Sequence, residues 1–395
     1  MAWFNFNSSS ETTDKPQGES MDFVTQINVG DRDLSKPYID DRMVGYMGMV
    51  YFGEDNLFPN LTNNLYLSSP IHAACINFKT SAICGAGYEF KGYDQLKLDR
   101  KKEIKLFETR VKLHKLIKTV TKNYVKHNRA HILLKYSKEE KRYTQAKLID
   151  PEKVRNDQVT IFKDLTKFFI SDGFENHNKI KIITPYSPTN KDEWQMLELR
   201  GETGGSPTYP LPDYVSNGNW TYLDGEISYL YKQGIVNSIN PSMIFKFPFD
   251  TNPETKAKIK RMLTTMGKGA KNMGRILTFF KPKAQQPEIE TIATTQNDKL
   301  YKQVSQEIKD NIAISHQMNP SLAGVVTAGK LSNDSETKTY YQLFEKNWVI
   351  ENREIVEDFL NDFCRIFDIT EKLELNRFQI IDDEIVEVDE NNKEI

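Results

Sequence analysis

Residues 306–326, QEIKDNIAISHQMNPSLAGVV, and residues 343–363, LFEKNWVIENREIVEDFLNDF, contain the patterns that decide the fold. In and just before the first stretch, apolar side chains recur every four residues, which predicts an amphipathic helix that ends before Pro320. The second stretch predicts a longer helix that begins after Asn333 and buries one face, including Trp348. The segment between them is rich in small residues and predicts a slender loop.

The composition is that of a soluble folded protein. Of the 395 residues, 38% are hydrophobic and 27% are charged, and no apolar run approaches the ~18 residues that a membrane span requires. The length favours two or three domains. The polar start has no signal-peptide pattern, so we expect synthesis and retention in a cytoplasm. The three cysteines have apolar neighbours, which predicts reduced core residues rather than disulfides.

Charge is sorted along the chain, although the formal net charge is only −2. Residues 252–283 contain nine basic residues and one acid, whereas residues 382–395 contain seven acids and one lysine. Such sorting is typical of a protein whose parts face different partners. The basic stretch is either a solvated helix face or a contact surface. The acidic stretch is an edge strand, a ligand for a basic partner or a disordered, solvated tail.

The N-terminal half alternates between helical and strand patterns. A helix is predicted from about Ser69 to the glycines at 85 and 87, and one amphipathic helix is predicted through residues 104–124. Alternating polar and apolar residues then predict two pairs of neighbouring strands. They are AHILLKY (130–136) with YTQAKLI (143–149), and KIKIITPY (179–186) with WQMLELR (194–200).

A small basic unit is inserted between two helices. After a helix predicted at 217–239, SMIFKFPF (242–249) predicts a strand and KAKIKRMLTTMGKG (256–269) predicts a short basic helix. RILTFFK (275–281) and PEIETIA (287–293) predict two more strands before the next helix. The two ends of this unit are expected to lie close together, because connections between neighbouring elements are short.

No motif in the sequence predicts catalysis. The glycine-rich stretches GETGG (201–205) and GKGAKNMG (267–274) do not fit the phosphate-binding pattern GxxxxGK[ST]. His127 and His131 are four residues apart, but HNRAH lacks the glutamate of the zinc-protease motif, which favours a structural role. His316, beside the loop, is predicted to be a cap or an interface residue. We therefore expect no enzyme activity, no cofactor and no metal site.

The order of these elements resembles the portal (head-to-tail connector) proteins of tailed bacteriophages. The resemblance lies in YPLPDY (209–214) with the helix after it, in KGAKNMGRILTFF (268–280), and above all in the two stretches quoted first. SSPIHAACINFKTSAICGAGYEF (68–90) is also similar to the start of that family. The resemblance covers most of residues 45–368. It implies an α+β subunit with an α/β wing, an antiparallel pair of stem helices, a small α/β clip, a tunnel loop and a long wing helix.

The resemblance also implies a division of the chain. The segments are a flexible N-terminal arm (1–40), the wing (41–216), stem helix 1 (217–239), the clip (240–295), stem helix 2 (296–318), the tunnel loop (319–333), the long wing helix (334–368) and an acidic C-terminal tail (369–395). Such subunits assemble as closed rings, commonly of about twelve copies, so each segment recurs around an axial channel.

The implied function is a ring at one capsid vertex of the virion, made in the bacterial host cytoplasm, through which double-stranded DNA is packaged and ejected. Small, weakly polar loop residues and one lysine would touch DNA without reading its sequence. The implied partners are further copies of the chain, viral DNA, the large terminase, a head–tail adaptor, and the major capsid and scaffold proteins, with no membrane. The tunnel-loop residues are Ser321, Ala323, Gly324, Val325, Val326, Thr327, Lys330, Ser332 and Asn333. The basic surface of the clip is Lys256, Lys260, Lys268, Lys271 and Arg275.

Two alternatives follow from the residues alone. The helices at 295–367 also suit an ordinary helical hairpin in a core. The basic stretch at 256–283 also suits a monomeric or dimeric nucleic-acid-binding module, in which alanine at its lysines would weaken DNA binding. The size of the oligomer distinguishes such a module from a ring.

Overall fold

The computed structural model has the predicted α+β architecture and describes most of the chain. The described residues are 43–160, 163–202, 204, 206–237, 241–248, 254, 257–258, 275–281, 288–291, 297–324 and 334–378. The predicted arm at 1–40, most of the basic helix at 256–269 and the acidic residues beyond 378 lie outside this set.

Helices and strands alternate along the described chain. In order they are α1 (Phe58–Ser68), α2 (Pro70–Cys84), β1 (Gly87–Phe90), α3 (Leu98–Val111), α4 (Leu113–His127), β2 (Arg129–Ser137), β3 (Arg142–Ile149), β4 (Val154–Asn156), β5 (Phe168–Ile170), β6 (Lys181–Pro185), β7 (Trp194–Arg200), α5 (Gly218–Asn237), β8 (Pro241–Pro248), β9 (Arg275–Lys281), β10 (Glu288–Thr291), α6 (Asn297–Ser315), α7 (Asp334–Phe344), α8 (Ile350–Ile366) and β11 (Leu373–Asn376). None of these described helices is both long enough and apolar enough to cross a bilayer.

The helix predicted from Ser69 to the glycines is confirmed as α2. The Ser69 hydroxyl accepts a hydrogen bond from the backbone N–H of His72 (3.2 Å), which caps the helix, and a proline follows at the first helical position. The helix ends at Gly85, whose φ of +58° is left-handed. Only glycine fits there, because a Cβ atom would collide with a carbonyl oxygen at the end of β11.

The single helix predicted through residues 104–124 is in fact two helices, α3 and α4. Lys112 separates them, with a φ of +52° in the left-handed region. Phe107 of α3 and Leu116 of α4 both point into the main core. One left-handed residue turns the second helix so that both apolar faces reach the same core, which helical periodicity alone does not predict.

The strands β2 to β7 form one sheet in the order β3-β2-β7-β6-β5-β4. β2 and β3 form the antiparallel pair that the alternating pattern predicts. β6 and β7 are neighbours, as predicted, but unlike the first pair they are parallel, with Thr184 opposite Gln195. Two residue pairs join these strands, and residues 186–193 connect them.

The insert is a separate small sheet between α5 and α6, which pack against each other. Its order is β10-β8-β9, with β8 parallel to β9 and antiparallel to β10. The three strands predicted at 242–249, 275–281 and 287–293 are therefore confirmed.

The long helix predicted at 334–368 contains an irregular turn. α7 continues into α8 through a π-helical turn at Glu345–Val349. A π turn holds an extra residue and so rotates the following side chains around the helix axis. Trp348 and the adjacent Val349 are both buried at this turn, so the extra residue lies where the helix packs against the core. Tertiary packing has therefore overridden the regular pattern.

The acidic tail begins later than the predicted boundary at residue 369. Ile369, Leu373 and Leu375 are buried, and β11 pairs antiparallel with β1. The Asn361 side chain on α8 donates to the carbonyl of Leu373 (3.0 Å) and accepts from its N–H (2.8 Å). Residues 369–376 belong to the fold because their apolar side chains close the main core. That core also holds Cys75 and Cys364, and the prediction of three unpaired cysteines is confirmed.

Candidate functional site: the 319–333 loop and its buried base

The predicted loop begins as an ordered turn. Pro320–Ala323 is a 3-10 turn, and the Asn319 side chain caps it by accepting hydrogen bonds from the N–H (3.0 Å) and hydroxyl (2.8 Å) of Ser321. Gly324 ends the turn with a φ of +78°, which favours glycine. The described chain resumes at Asp334, the first residue of α7. Both ends of the loop are therefore attached to regular structure.

The structure describes three of the nine predicted loop residues. Ser321 and Ala323 are half-buried in the turn, where Ala323 packs against the main core, and Gly324 is exposed. The other six, Val325, Val326, Thr327, Lys330, Ser332 and Asn333, lie outside the described residues. Of the predicted clip surface, Arg275 is the first residue of the edge strand β9. Lys256, Lys260, Lys268 and Lys271 lie outside the described residues.

A buried pair of histidines lies next to the turn. His72 of α2 and His316, just after α6, are fully buried, and Nδ1 of His72 is 2.9 Å from Nε2 of His316. The ring of Tyr214 lies against both imidazoles, at centroid distances of 4.7 and 4.8 Å. Burial, assisted by the charge of Lys79, lowers the pKa of His72 to about 3 and that of His316 well below its usual value. Both rings are therefore neutral at pH 7, with one nitrogen donating to the other.

These histidines are expected to make the protein sensitive to acid. Below pH 6.5 the unfolded chain binds protons at both imidazoles while the folded protein excludes them, so the free energy of unfolding falls as the pH drops toward about 3. We expect His72→Phe to reduce this slope by up to about 1.4 kcal/mol per pH unit between pH 4 and 6, measured by urea unfolding. An exposed apolar residue provides the control, since Leu67→Ala removes no titratable group and should keep the wild-type slope. Equal slopes in the wild type and His72→Phe would contradict the prediction.

An ion pair beside the histidines joins three parts of the chain. Nζ of Lys79 on α2 is 2.7 Å from Oδ2 of Asp213, and the indole N–H of Trp348 donates to the same oxygen (2.8 Å). The ammonium lies 4.2 Å from the centre of the Trp348 ring, and Phe344 stacks on that ring at 5.5 Å. Burial lowers the pKa of Lys79, and the charge of Asp213 opposes this change. The contact fixes α2 and the segment before α5 against the π turn.

The other two histidines that the sequence analysis singled out have separate partners. Nδ1 of His127 is 2.9 Å from the hydroxyl of Thr62. His131 lies in the main sheet, with Nε2 3.2 Å from Glu198 and 2.7 Å from Arg129. Burial opposes ionisation of Glu198, but the hydrogen bond with His131 and the charge of Arg129 outweigh it and lower its pKa to about 2. Within the described ranges, no three His, Cys, Asp or Glu side chains are arranged to hold a metal ion.

We call the His72–His316 pair and the contact among Lys79, Asp213 and Trp348 the buried base of the loop. The sequence analysis missed two of its residues, His72 and Lys79. Both lie on the apolar stripe of α2, which they share with Ile76 and Ile83. A histidine and a lysine at core positions of a predicted helix were the available signal, since buried polar groups need partners. Their partners Asp213 and His316 are more than a hundred residues away, so only the tertiary structure identifies them.

The fold is shared with chains of gene transfer agent (GTA) particles, whereas no protein-family model and no curated protein matches the sequence. One similar chain comes from the virion of a native GTA particle, with a TM-score of 0.55 and 12% identity over 87% of this chain and 88% of that chain. Another comes from the neck of an empty GTA particle, with a TM-score of 0.56 and 12% identity over 84% of this chain and 87% of that one. The likeness therefore extends over nearly the whole length of both chains, and at this identity it establishes the fold.

Proposed function

We propose that this chain is a portal protein. It forms a ring of about twelve subunits at one vertex of a phage-like capsid, and double-stranded DNA passes through the ring during packaging and ejection. The ring also provides the docking surface for the large terminase and for the head–tail adaptor. The role is structural, and the ATP-driven work belongs to the terminase.

The observation that carries this proposal is the near full-length match to chains of a GTA virion and a GTA neck. The order of elements gives independent support. Two packed helices, α5 and α6, flank a separate three-stranded sheet, and a loop then leads into the long interrupted helix of α7 and α8. The sequence resemblance implies the order stem, clip, tunnel loop and wing helix, and the order of the described elements supports that assignment.

The buried base supports a DNA-facing role for the loop. The loop is preceded by His316 and the capped turn at Pro320–Ala323, and it is followed by the helix that contains Trp348. His316 and Trp348 are both held by buried polar contacts. The described ends of the predicted loop are thus anchored in the core, and the small residues of its sequence would present little bulk to a passing duplex. A channel wall needs both properties, because it must contact DNA without binding it tightly.

The size of the assembly tests the proposal. We expect light scattering and negative-stain images of the purified chain to show a ring of about twelve subunits with a central hole. Alanine at Lys268, Lys271 and Arg275 should leave the ring intact and weaken terminase docking. A stable monomer or dimer that loses DNA affinity with the same alanines would instead support the nucleic-acid-binding module and overturn the portal proposal.

A further inference from the structure

The helix α8 carries a row of acidic side chains on its outer face. Glu351, Glu354, Asp358 and Asp362 follow one another at spacings of three or four residues, which places them on one side of the helix, and all four are exposed. We call these four residues the acidic ridge. Asp362 forms an ion pair with Arg365 (2.7 Å), but the other three make no ion pair with any described residue.

The helix α3 carries the complementary surface. Leu98, Lys102, Lys105 and Leu106 lie on one outer face at helical spacing, and we call them the basic face. The two leucines, eight residues apart on this face, are 68% and 62% exposed. Lys105 makes no ion pair within the described residues, and Lys102 has only the exposed Asp99 at 3.5 Å.

The two surfaces point away from each other. The inner face of α3 packs on the inner face of α8, since the ring of Phe107 is 6.0 Å from that of Phe363 and 5.5 Å from that of Phe367. Arg100 adds a second link. Its Nε and Nη2 atoms each donate a hydrogen bond of 2.8 Å to the carboxylate of Glu371, just after α8. The acidic ridge and the basic face lie on the opposite sides of these helices. Among the described residues, no ion pair joins the two surfaces within one subunit.

We infer that the basic face of one subunit binds the acidic ridge of the next subunit. This inference rests on the proposed ring and names the surfaces that hold it together. Neighbouring like charges on one helix repel each other, so an opposite charge across a subunit contact relieves the repulsion at the charges that remain unpaired on each surface. Two different, complementary patches on opposite sides of a subunit form a head-to-tail contact, and repetition of such a contact closes a ring. Contact of two identical patches, as in a twofold dimer, is disfavoured because it juxtaposes like charges.

Charge reversal tests the pairing. The basic-face variant carries Lys102→Glu and Lys105→Glu, and the ridge variant carries Glu354→Lys and Asp358→Lys. All four positions are exposed, and each change introduces a residue of high helix propensity. We expect the subunit concentration at half-assembly to rise at least about 100-fold in either variant, because like charges then meet across the contact. Raised salt should weaken the wild-type ring. The matched control, Lys179→Glu with Lys181→Glu at exposed positions around the start of β6, should assemble like the wild type.

Mixing the two variants gives the decisive result. In an equimolar mixture each reversed patch finds a complementary partner, so alternating rings should form although neither variant assembles alone. The chain that carries all four changes should also form rings by itself.

Unchanged assembly of both single-surface variants, with an intact wild-type ring, would overturn this pairing and leave the portal proposal standing. Reduced thermal stability of the monomeric variants without rescue on mixing would show that the surfaces serve the chain's own fold, which also overturns the pairing. A wild-type chain that stays monomeric would overturn both the pairing and the portal proposal.

Discussion

Replacing Trp348 by alanine should lower the free energy of unfolding by about 3–5 kcal/mol. The side chain is only 6% exposed, it stacks on Phe344, and its indole N–H donates to Asp213. Alanine removes this apolar burial and leaves a cavity at the π turn, where surrounding helices cannot collapse freely because the ion pair of Lys79 is held there. Denaturant unfolding followed by circular dichroism measures the change.

A neighbouring residue on the same helix provides the control. Leu343 precedes Phe344 but is 52% exposed, so Leu343→Ala should change the unfolding free energy by no more than about 0.5 kcal/mol. If the two alanine variants lost equal stability, Trp348 would not be the anchor of the π turn.

Removal of the Asp213 carboxylate is expected to have a similar effect, about 3–5 kcal/mol for Asp213→Ala. Lys79 is fully buried, so loss of its partner leaves an uncompensated charge in the core. Lys79→Met should reduce the stability less, because the Asp213 side chain is 30% exposed and water can solvate its carboxylate when the ammonium is gone. Urea unfolding at pH 7 of the two single variants and of the double variant measures the asymmetry.

The pH dependence of Asp213→Ala offers a second readout. Burial already lowers the pKa of Lys79, and Asp213 is the main group that opposes this change. Without Asp213 the folded protein holds its proton less tightly than the unfolded chain, so the stability of the variant should rise as the pH increases from 7 toward 10. The double variant lacks the lysine and should lose this slope. A larger loss of unfolding free energy in Lys79→Met than in Asp213→Ala would contradict the assignment of Lys79 as the more deeply desolvated partner.

Local patterns in the sequence determined most of the element types. The apolar spacing before Pro320, the proline-led helix α2 and the alternating strands β2 and β3 all appear where the pattern predicts them. The burial of Trp348 was also predictable, because a large aromatic on an apolar stripe has few other places to go. These features depend on neighbours three or four residues away, which a sequence displays directly.

The tertiary structure alone decided the features that depend on distant partners. The break at Lys112, the π turn at Glu345–Val349 and the strand at Leu373–Asn376 each serve a core assembled from remote segments. The buried base of the loop is the clearest case, since His72 finds its partner His316 only after the chain has folded. A buried polar side chain must be paired, but helical or strand periodicity carries no information about which distant residue will pair with it. The sequence therefore determined most of the helices and strands of this protein, while packing decided which distant segments hold the two ends of the predicted loop.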